Sequence, residues 1–250
     1  MLAAYLARIG LPEAASRPLD EAGLRAVAAA HAARIPFENT RAHRGERISV
    51  RIEDILDRIV TREEGGVCYE LNGGLAWLLT SLGADVELNA AQVLPAAPGD
   101  PGGLPMSHVA LIVTLPGEGR AFLVDVGFGG ETILREVPED GERVETARGS
   151  AYRIDRRPRE LEDFEGLAWW HSTSPSSRFM RSVIVSSTRT EGIATLFGRD
   201  DGETIGWHYR GVADAEARAI DAAEAGALAG AVFGLRAPLP DRIMRYVPAG

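Results

Sequence analysis

Residues 65–82 read GGVCYELNGGLAWLLTSL and include the only cysteine of the 250-residue chain. Its apolar residues have the spacing of one helix face, formed by Leu71, Leu75, Leu78, Leu79 and Leu82. This pattern predicts a helix that begins near Cys68 and ends before Gly83. Gly73 and Gly74 lower the helix propensity in the middle of this segment, so we expect another element to pack closely against them.

Cys68 follows two glycines and opens the predicted helix. Amide N–H groups and the helix dipole at a helix N-terminus favour a thiolate, which suits a nucleophile. The alternative is a small buried apolar residue, the commoner role of a lone cysteine. One cysteine can form neither an internal disulfide nor a thiolate metal cluster, so no metal site is predicted.

The chain changes its periodicity near residue 85. Before it, helical spacing recurs in Leu24, Val27, Ala28 and His31 and again in Ile52, Ile55, Leu56 and Ile59. After it, residues 108–115 and 121–126 alternate with period two across a Pro116–Gly119 turn, and both of their faces are apolar. These two segments predict a β-hairpin buried on both sides, as in a barrel or a covered sheet.

His108 and Asp125 each interrupt an apolar face of this hairpin. Buried polar side chains need partners, and adjacent strands bring the two together. A carboxylate that binds one imidazole nitrogen orients the ring, while the other nitrogen can take a thiol proton. The alternatives are a satisfied core pair without a catalytic role, or an Asp125 that begins the turn at residues 127–130.

The rest of the chain predicts further elements around this hairpin. Residues 95–105 form a surface loop rich in Gly and Pro, and residues 182–188 and 192–197 form strands. Residues 214–233 form an Ala-rich helix capped by Asp214. The fold class is α+β, with helices in residues 1–84, a β-rich unit in 85–190 and a C-terminal α/β unit in 191–250.

The composition disfavours several classes of protein. The formal net charge is −9, whereas non-specific nucleic-acid affinity needs Lys and Arg to neutralise phosphates. No stretch reaches the roughly 18 apolar residues of a membrane helix. The segment Met1–Gly10 carries Arg8 and lacks the uninterrupted apolar core of a signal peptide. We therefore expect a cytoplasmic protein with neither a nucleic-acid nor a membrane partner.

Five short motifs occur in an order that is specific to one family. They are residues 34–39 (RIPFEN), 65–72 (GGVCYELN), 107–109 (SHV), 125–129 (DVGFG) and 172–175 (STSP), the last followed by Ser177 and Phe179. An ordered set is far more specific than any single motif. In these motifs the chain resembles the arylamine N-acetyltransferases.

The resemblance implies a helical bundle that carries the cysteine, a central β-barrel that carries histidine and aspartate, and an α/β lid, with a cysteine-protease-like catalytic core. It implies a catalytic triad of Cys68, His108 and Asp125. It also implies ping-pong transfer from a thioester, usually acetyl-CoA as co-substrate, through the cysteine to an arylamine or hydrazine. No permanently bound cofactor is expected. Phe37, Ser107 and Phe128 are the expected substrate-pocket residues, with packing or turn geometry as the alternative role of each.

The chain departs from the family pattern at Glu64, where family members normally carry arginine. That arginine commonly pairs with the groups that correspond to Glu38 and Asn39. Two carboxylates held close together require a cation or a proton. We expect one of three arginines to supply the cation, namely Arg62, Arg34 or Arg41.

Three other functions remain open at the level of sequence. Ansamycin amide synthases resemble this family and use the same triad, but they accept a polyketide from an acyl carrier protein and form a macrolactam in antibiotic biosynthesis. A cysteine hydrolase would resolve the acyl-enzyme with water. A non-catalytic binding protein would carry an unreactive Cys68.

Overall fold

The computed structural model describes residues 1–97, 99–117, 119–147, 149–189, 192–198, 205–211 and 214–239. The helices are α1 (Leu2–Ile9), α2 (Glu21–Arg34), α3 (Thr40–His43), α4 (Ile52–Leu56), α5 (Cys68–Ser81), α6 (Glu165–Thr173), α7 (Arg178–Arg181) and α8 (Ala222–Ala231). Two 3-10 turns, Pro12–Ser16 and Leu161–Phe164, and a π-helical turn, Asp57–Thr61, join them. No helix within these ranges is both long and apolar enough to cross a membrane.

The strands form two antiparallel sheets. They are β1 (Phe37–Glu38), β2 (Asp85–Val93), β3 (His108–Thr114), β4 (Ala121–Phe128), β5 (Glu131–Glu136), β6 (Arg143–Glu145), β7 (Ala151–Arg159), β8 (Ile184–Arg189), β9 (Gly192–Gly198), β10 (Ile205–Gly211) and β11 (Ala215–Ile220). One sheet has the order β5-β4-β3-β2-β7-β6 and the other β1-β8-β9-β10-β11. The expected α+β class is confirmed. The expected division into a bundle, a barrel and a lid stays a prediction, and β8 pairs with β9 across its boundary at residue 190.

The predicted hairpin is formed by β3 and β4, with Leu111 opposite Val124. Leu111 and Val124 belong to the main core, which also contains α5. Ile112 and Leu123 point to the opposite face and pack in a second core with Tyr152. The hairpin is therefore buried on both sides, as its doubly apolar pattern predicts, and its two polar residues lie in the interior.

The C-terminal prediction is wrong in its first half. Residues 215–220 form strand β11, which pairs with β10, and helix α8 begins only at Ala222. The cap of this helix is Asp221 rather than Asp214, because the Asp221 carboxylate accepts a 2.8 Å hydrogen bond from the Glu224 amide. Pairing with β10 outweighs the helix propensity of an Ala-rich segment, which is a weak preference.

Close packing explains the two glycines inside α5. A β-carbon at Gly74 would lie 2.7 Å from the hydroxyl oxygen of Tyr5 and 2.9 Å from Cδ1 of Ile59. A β-carbon at Gly73 would lie 3.0 Å from Cδ2 of Leu161. The expected close approach of other elements to this helix is thus confirmed.

Substitution at these glycines tests the packing. Gly74→Ala is expected to lower the free energy of unfolding by about 1–3 kcal/mol, because the added methyl overpacks the contact with Tyr5 and Ile59. Gly226→Ala in α8 is the matched control, since its β-carbon would have no described atom within 4 Å. The control substitution should raise the free energy of unfolding by about 0.5–1 kcal/mol. Urea unfolding measures both values, and equal stabilisation by the two substitutions would contradict the packing argument.

Candidate active site

Cys68 is the first residue of α5 and lies in the interior, with 2% of its surface exposed. The carboxylate of Glu70 accepts a 3.1 Å hydrogen bond from the Val67 amide and so caps the start of the helix. The sulfur of Cys68 lies 4.0 Å from the carbonyl oxygen of Ser107, the residue just before β3. The start of α5 therefore places the sulfur beside the first residues of the hairpin.

His108 and Asp125 lie on neighbouring strands and are bonded to each other. Nε2 of His108 is 2.7 Å from Oδ2 of Asp125, and both side chains are almost fully buried. Oδ1 of Asp125 accepts a further hydrogen bond of 2.8 Å from the Gly127 amide. The structure thus brings together the three residues predicted as a triad.

Asn72 joins the helix to this pair, a role that was not among the sequence-based expectations. Its Nδ2 donates to Oδ1 of Asp125 at 2.8 Å and to the Val109 carbonyl at 2.7 Å. Its Oδ1 accepts from the Val126 amide at 3.0 Å. Asn72 is four residues after Cys68, one turn along the same helix face, and this spacing was a signal available in the sequence.

The electrostatics favour a charged pair. Burial alone would lower the pKa of His108, but the charge and hydrogen bond of Asp125, together with the neighbouring Cys68, raise that pKa to about 10. Burial alone would raise the pKa of Asp125, but His108, Asn72 and the Gly127 amide hold that pKa below its usual value. His108 is therefore an imidazolium and Asp125 a carboxylate at neutral pH.

Two aromatic rings enclose the imidazole. The ring centroids of Phe128 and Tyr152 each lie 5.0 Å from that of His108, and 5.3 Å from each other. Phe128 was an expected pocket residue. Tyr152 on β7 was missed, because strands β2 and β3 separate it from β4 in the sheet and no local pattern indicates that neighbourhood. Burial raises the pKa of Tyr152 well above its usual value, and the charge of Asp125 adds to the effect.

The other two expected pocket residues, Phe37 and Ser107, lie near the start of α5. Phe37 in β1 bridges to Gly66, two residues before the cysteine, and its ring centroid is 5.8 Å from that of Phe179. The hydroxyl of Ser107 accepts a 3.3 Å hydrogen bond from the Val93 amide. The geometry brings the backbone of both close to the cysteine. Their part in substrate binding stays a prediction.

The cation between Glu38 and Glu64 is Arg58, which corrects the expectation of Arg62, Arg34 or Arg41. Its NH2 lies 2.5 Å from Oε1 of Glu38, and its NH1 lies 2.9 Å from Oε2 of Glu64. Two of the expected arginines pair elsewhere: Arg62 with Asp57 at 2.8 Å and Arg41 with Glu70 at 2.5 Å. The third, Arg34, lies beside Gly10.

Burial alone would raise the pKa of Glu38, but Arg58 and two hydrogen bonds from Thr40 outweigh it and leave that pKa below its usual value. Glu38 is therefore ionised at neutral pH. A cation between the two carboxylates, which the proximity of like charges required, is present.

A buried cysteine at a helix start, beside a bonded histidine and aspartate, defines a candidate for cysteine-dependent acyl transfer. A family model described as N-acetyltransferase matches residues 20–156 and 139–241. The arylamine N-acetyltransferase of Mycolicibacterium smegmatis is 32% identical over 224 residues, which cover 80% of each chain.

Solved structures agree with the sequence comparison. The M. smegmatis arylamine N-acetyltransferase superposes with a TM-score of 0.82 at 30% identity, over 94% of this chain and 92% of that one. The Mycobacterium marinum arylamine N-acetyltransferase in complex with CoA has a TM-score of 0.79 at 30% identity, over the same shares. The chain belongs to the arylamine N-acetyltransferase family and is an acyltransferase.

The charge on His108 can be tested by titration. In Asp125→Asn the imidazolium loses its anionic neighbour, so the pKa of His108 should fall from about 10 by about 1–3 pH units. NMR of histidine-labelled protein follows the His108 ring signals against pH. His171, whose pKa burial lowers to about 4, is the internal control and should titrate alike in both proteins. An unchanged midpoint for His108 would show that Asp125 does not hold its charge.

Proposed function

We propose that the protein transfers an acetyl group from acetyl-CoA through Cys68 to an arylamine or hydrazine. The observation that carries the proposal is the convergence of Cys68 at the start of α5 with the bonded pair of His108 and Asp125. Membership of the arylamine N-acetyltransferase family supports the acyl chemistry. The CoA complex of the M. marinum relative supports CoA as the carrier of the acyl group.

In the first half-reaction, the sulfur of Cys68 attacks the thioester carbonyl, and the carbon–sulfur bond to CoA breaks. Nε2 of His108 is bonded to Asp125, so Nδ1 is the ring nitrogen that exchanges a proton with sulfur. The imidazolium gives this proton to the departing CoA thiolate. Asp125 stabilises the charged ring and fixes its orientation.

In the second half-reaction, the amine nitrogen attacks the carbonyl of the acetyl-cysteine. The neutral His108 takes a proton from the nitrogen, the bond to sulfur breaks, and the amide leaves. His108 is then protonated and Cys68 is a thiolate, which is the state in which the cycle began. No proton or electron is left over in this cycle.

The oxyanion formed in both half-reactions needs hydrogen-bond donors. The amides of Cys68 and Tyr69 stand at the start of α5, where backbone N–H groups have no acceptor within the helix. By contrast, the amides of Val67 and Glu70 donate to the Glu70 carboxylate and the Val67 carbonyl. Cys68 and Tyr69 are therefore the donors that we propose for the oxyanion hole.

Mass spectrometry of the intact protein tests the acyl-enzyme. With acetyl-CoA and no amine, we expect one acetyl group per chain on Cys68 and release of one equivalent of CoA. Continued release of CoA should require an arylamine. Equally fast release without the amine would identify a hydrolase, and no adduct with any thioester would identify a non-catalytic protein.

Two substitutions separate the roles of the triad. Cys68→Ala should abolish the adduct, whereas Asp125→Asn should retain it but lower the turnover rate by about 10⁴-fold, because the imidazole loses its orientation and charge partner. Long acyl thioesters on CoA and on a carrier protein form a second arm of the experiment. Acylation by the carrier protein alone would replace acetyl transfer with amide synthesis on a carrier-bound chain.

A further inference from the structure

Arg58 is a buried cation close to the cysteine helix, and the acetyl-transfer cycle does not use it. Only 3% of it is exposed, and it lies in the π-helical turn Asp57–Thr61. The amide of Arg62 donates to the Asp57 carbonyl at 2.9 Å, a bond that spans five residues. Such turns are rare and recur at functional sites. Burial of a guanidinium is costly unless its charge is paired.

The guanidinium has partners on two segments. Nε donates to the Gly65 carbonyl at 2.6 Å, and NH2 donates to Oε1 of Glu38 at 2.5 Å. NH1 lies 2.9 Å from Oε2 of Glu64. The planar fork donates to a carbonyl and to one carboxylate at once, which a single ammonium cannot do with the same geometry. Its NH1 forms an ion pair with the second carboxylate without a hydrogen bond.

These partners belong to the chain segments that meet just before Cys68. The Gly66 amide donates to the Pro36 carbonyl at 3.2 Å, and the Glu38 amide donates to the Gly66 carbonyl at 2.9 Å. A β-carbon at Gly65 would lie 2.2 Å from the Pro36 oxygen, so the two backbones are in direct contact. Arg58 binds both sides of this contact, at Gly65 and at Glu38.

Glu70 also binds this segment, at Val67. Its Oε2 accepts from the Val67 amide at 3.1 Å, and its Oε1 pairs with Arg41 at 2.5 Å and lies 4.0 Å from Nε of Arg58. Three carboxylates and two guanidinium groups therefore surround residues 65–67. A change in this charge cluster acts on the residues that lead directly into Cys68.

We propose that Arg58 is a positioning residue for Cys68, which it serves by holding the Gly65 carbonyl against the Glu38 carboxylate and so setting where the cysteine helix begins. The inference deepens the proposed acyl transfer and rests on it. The partners of Arg58 among the described residues are Gly65, Glu38, Glu64 and Glu70. The effect of Arg58 on the reaction passes through the backbone of residues 65–67.

Arg58→Lys keeps the positive charge but loses the fork. The sulfur should then be misplaced relative to His108, and an error of about 1 Å in a reacting group lowers rates by up to about 100-fold. We expect the rate of Cys68 alkylation by iodoacetamide, and the single-turnover rate of its acetylation by acetyl-CoA, to fall by about 10- to 100-fold. Both rates are measured well below the melting temperature of each variant. Under these conditions, substitution of a residue that only stabilises the fold would leave them unchanged.

Arg62→Lys is the matched control. Arg62 lies four residues away, is exposed and pairs only with Asp57 among the described residues, so both rates should stay within about twofold of wild type. Glu64→Gln in the Arg58→Lys background removes the extra carboxylate. If Arg58→Lys alone does not fold, the same rates are compared between Glu64→Gln and the double variant.

A second-site rescue sharpens the test. Position 64 already reaches the guanidinium of Arg58, so Arg58→Gln with Glu64→Arg restores a forked cation beside Glu38. The double variant should be alkylated and acetylated at least about 10-fold faster than Arg58→Gln. Wild-type rates in folded Arg58→Lys, or no recovery in the double variant, would overturn the proposal. If acetyl-CoA does not acylate the wild type, acetyl transfer fails, while the alkylation rates still decide the role of Arg58.

Discussion

The contact between the start of α5 and strand β4 sets the geometry on which the site depends. A β-carbon at Gly127 would lie 2.7 Å from Cα of Cys68 and 2.7 Å from Nδ2 of Asn72, so only glycine lets the strand approach the helix this closely. Asn72 then bonds to three groups of the hairpin. Helix and hairpin are therefore held in one register, and the distance from sulfur to imidazole is a property of the fold.

Burial of the charged pair has an energetic consequence. Transfer of an imidazolium and a carboxylate from water is costly, and their attraction offsets this only when the remaining hydrogen-bonding groups are satisfied. Asp125 meets that condition, because it accepts from Asn72 and the Gly127 amide as well as bonding to His108. The same backbone and amide contacts that fix the helix register thus also keep the carboxylate ionised.

Local periodicity was sufficient to predict α5 and the hairpin that brings His108 and Asp125 together, because both depend on short segments whose apolar faces are clear. The meeting of Cys68 with that pair was implied by the family resemblance. Local periodicity failed in residues 214–220, where Ala-rich composition hides the alternation and pairing with β10 decides the structure. The position of Asn72 beside Cys68 could have been predicted from helical spacing. The contact of Tyr152 with His108 could not, since it follows only from the order of strands in the sheet.

A cation does lie beside Glu38 and Glu64, as predicted, but the residue that supplies it was predicted wrongly. The reason is physical. Two nearby carboxylates constrain where positive charge must lie in space, and any side chain long enough to reach that point can supply it. Which residue does so depends on the π-helical turn Asp57–Thr61, which the apolar spacing of Ile55 and Ile59 does not reveal. Electrostatics therefore predicts the charge at this site, and only the tertiary fold identifies Arg58 as its carrier.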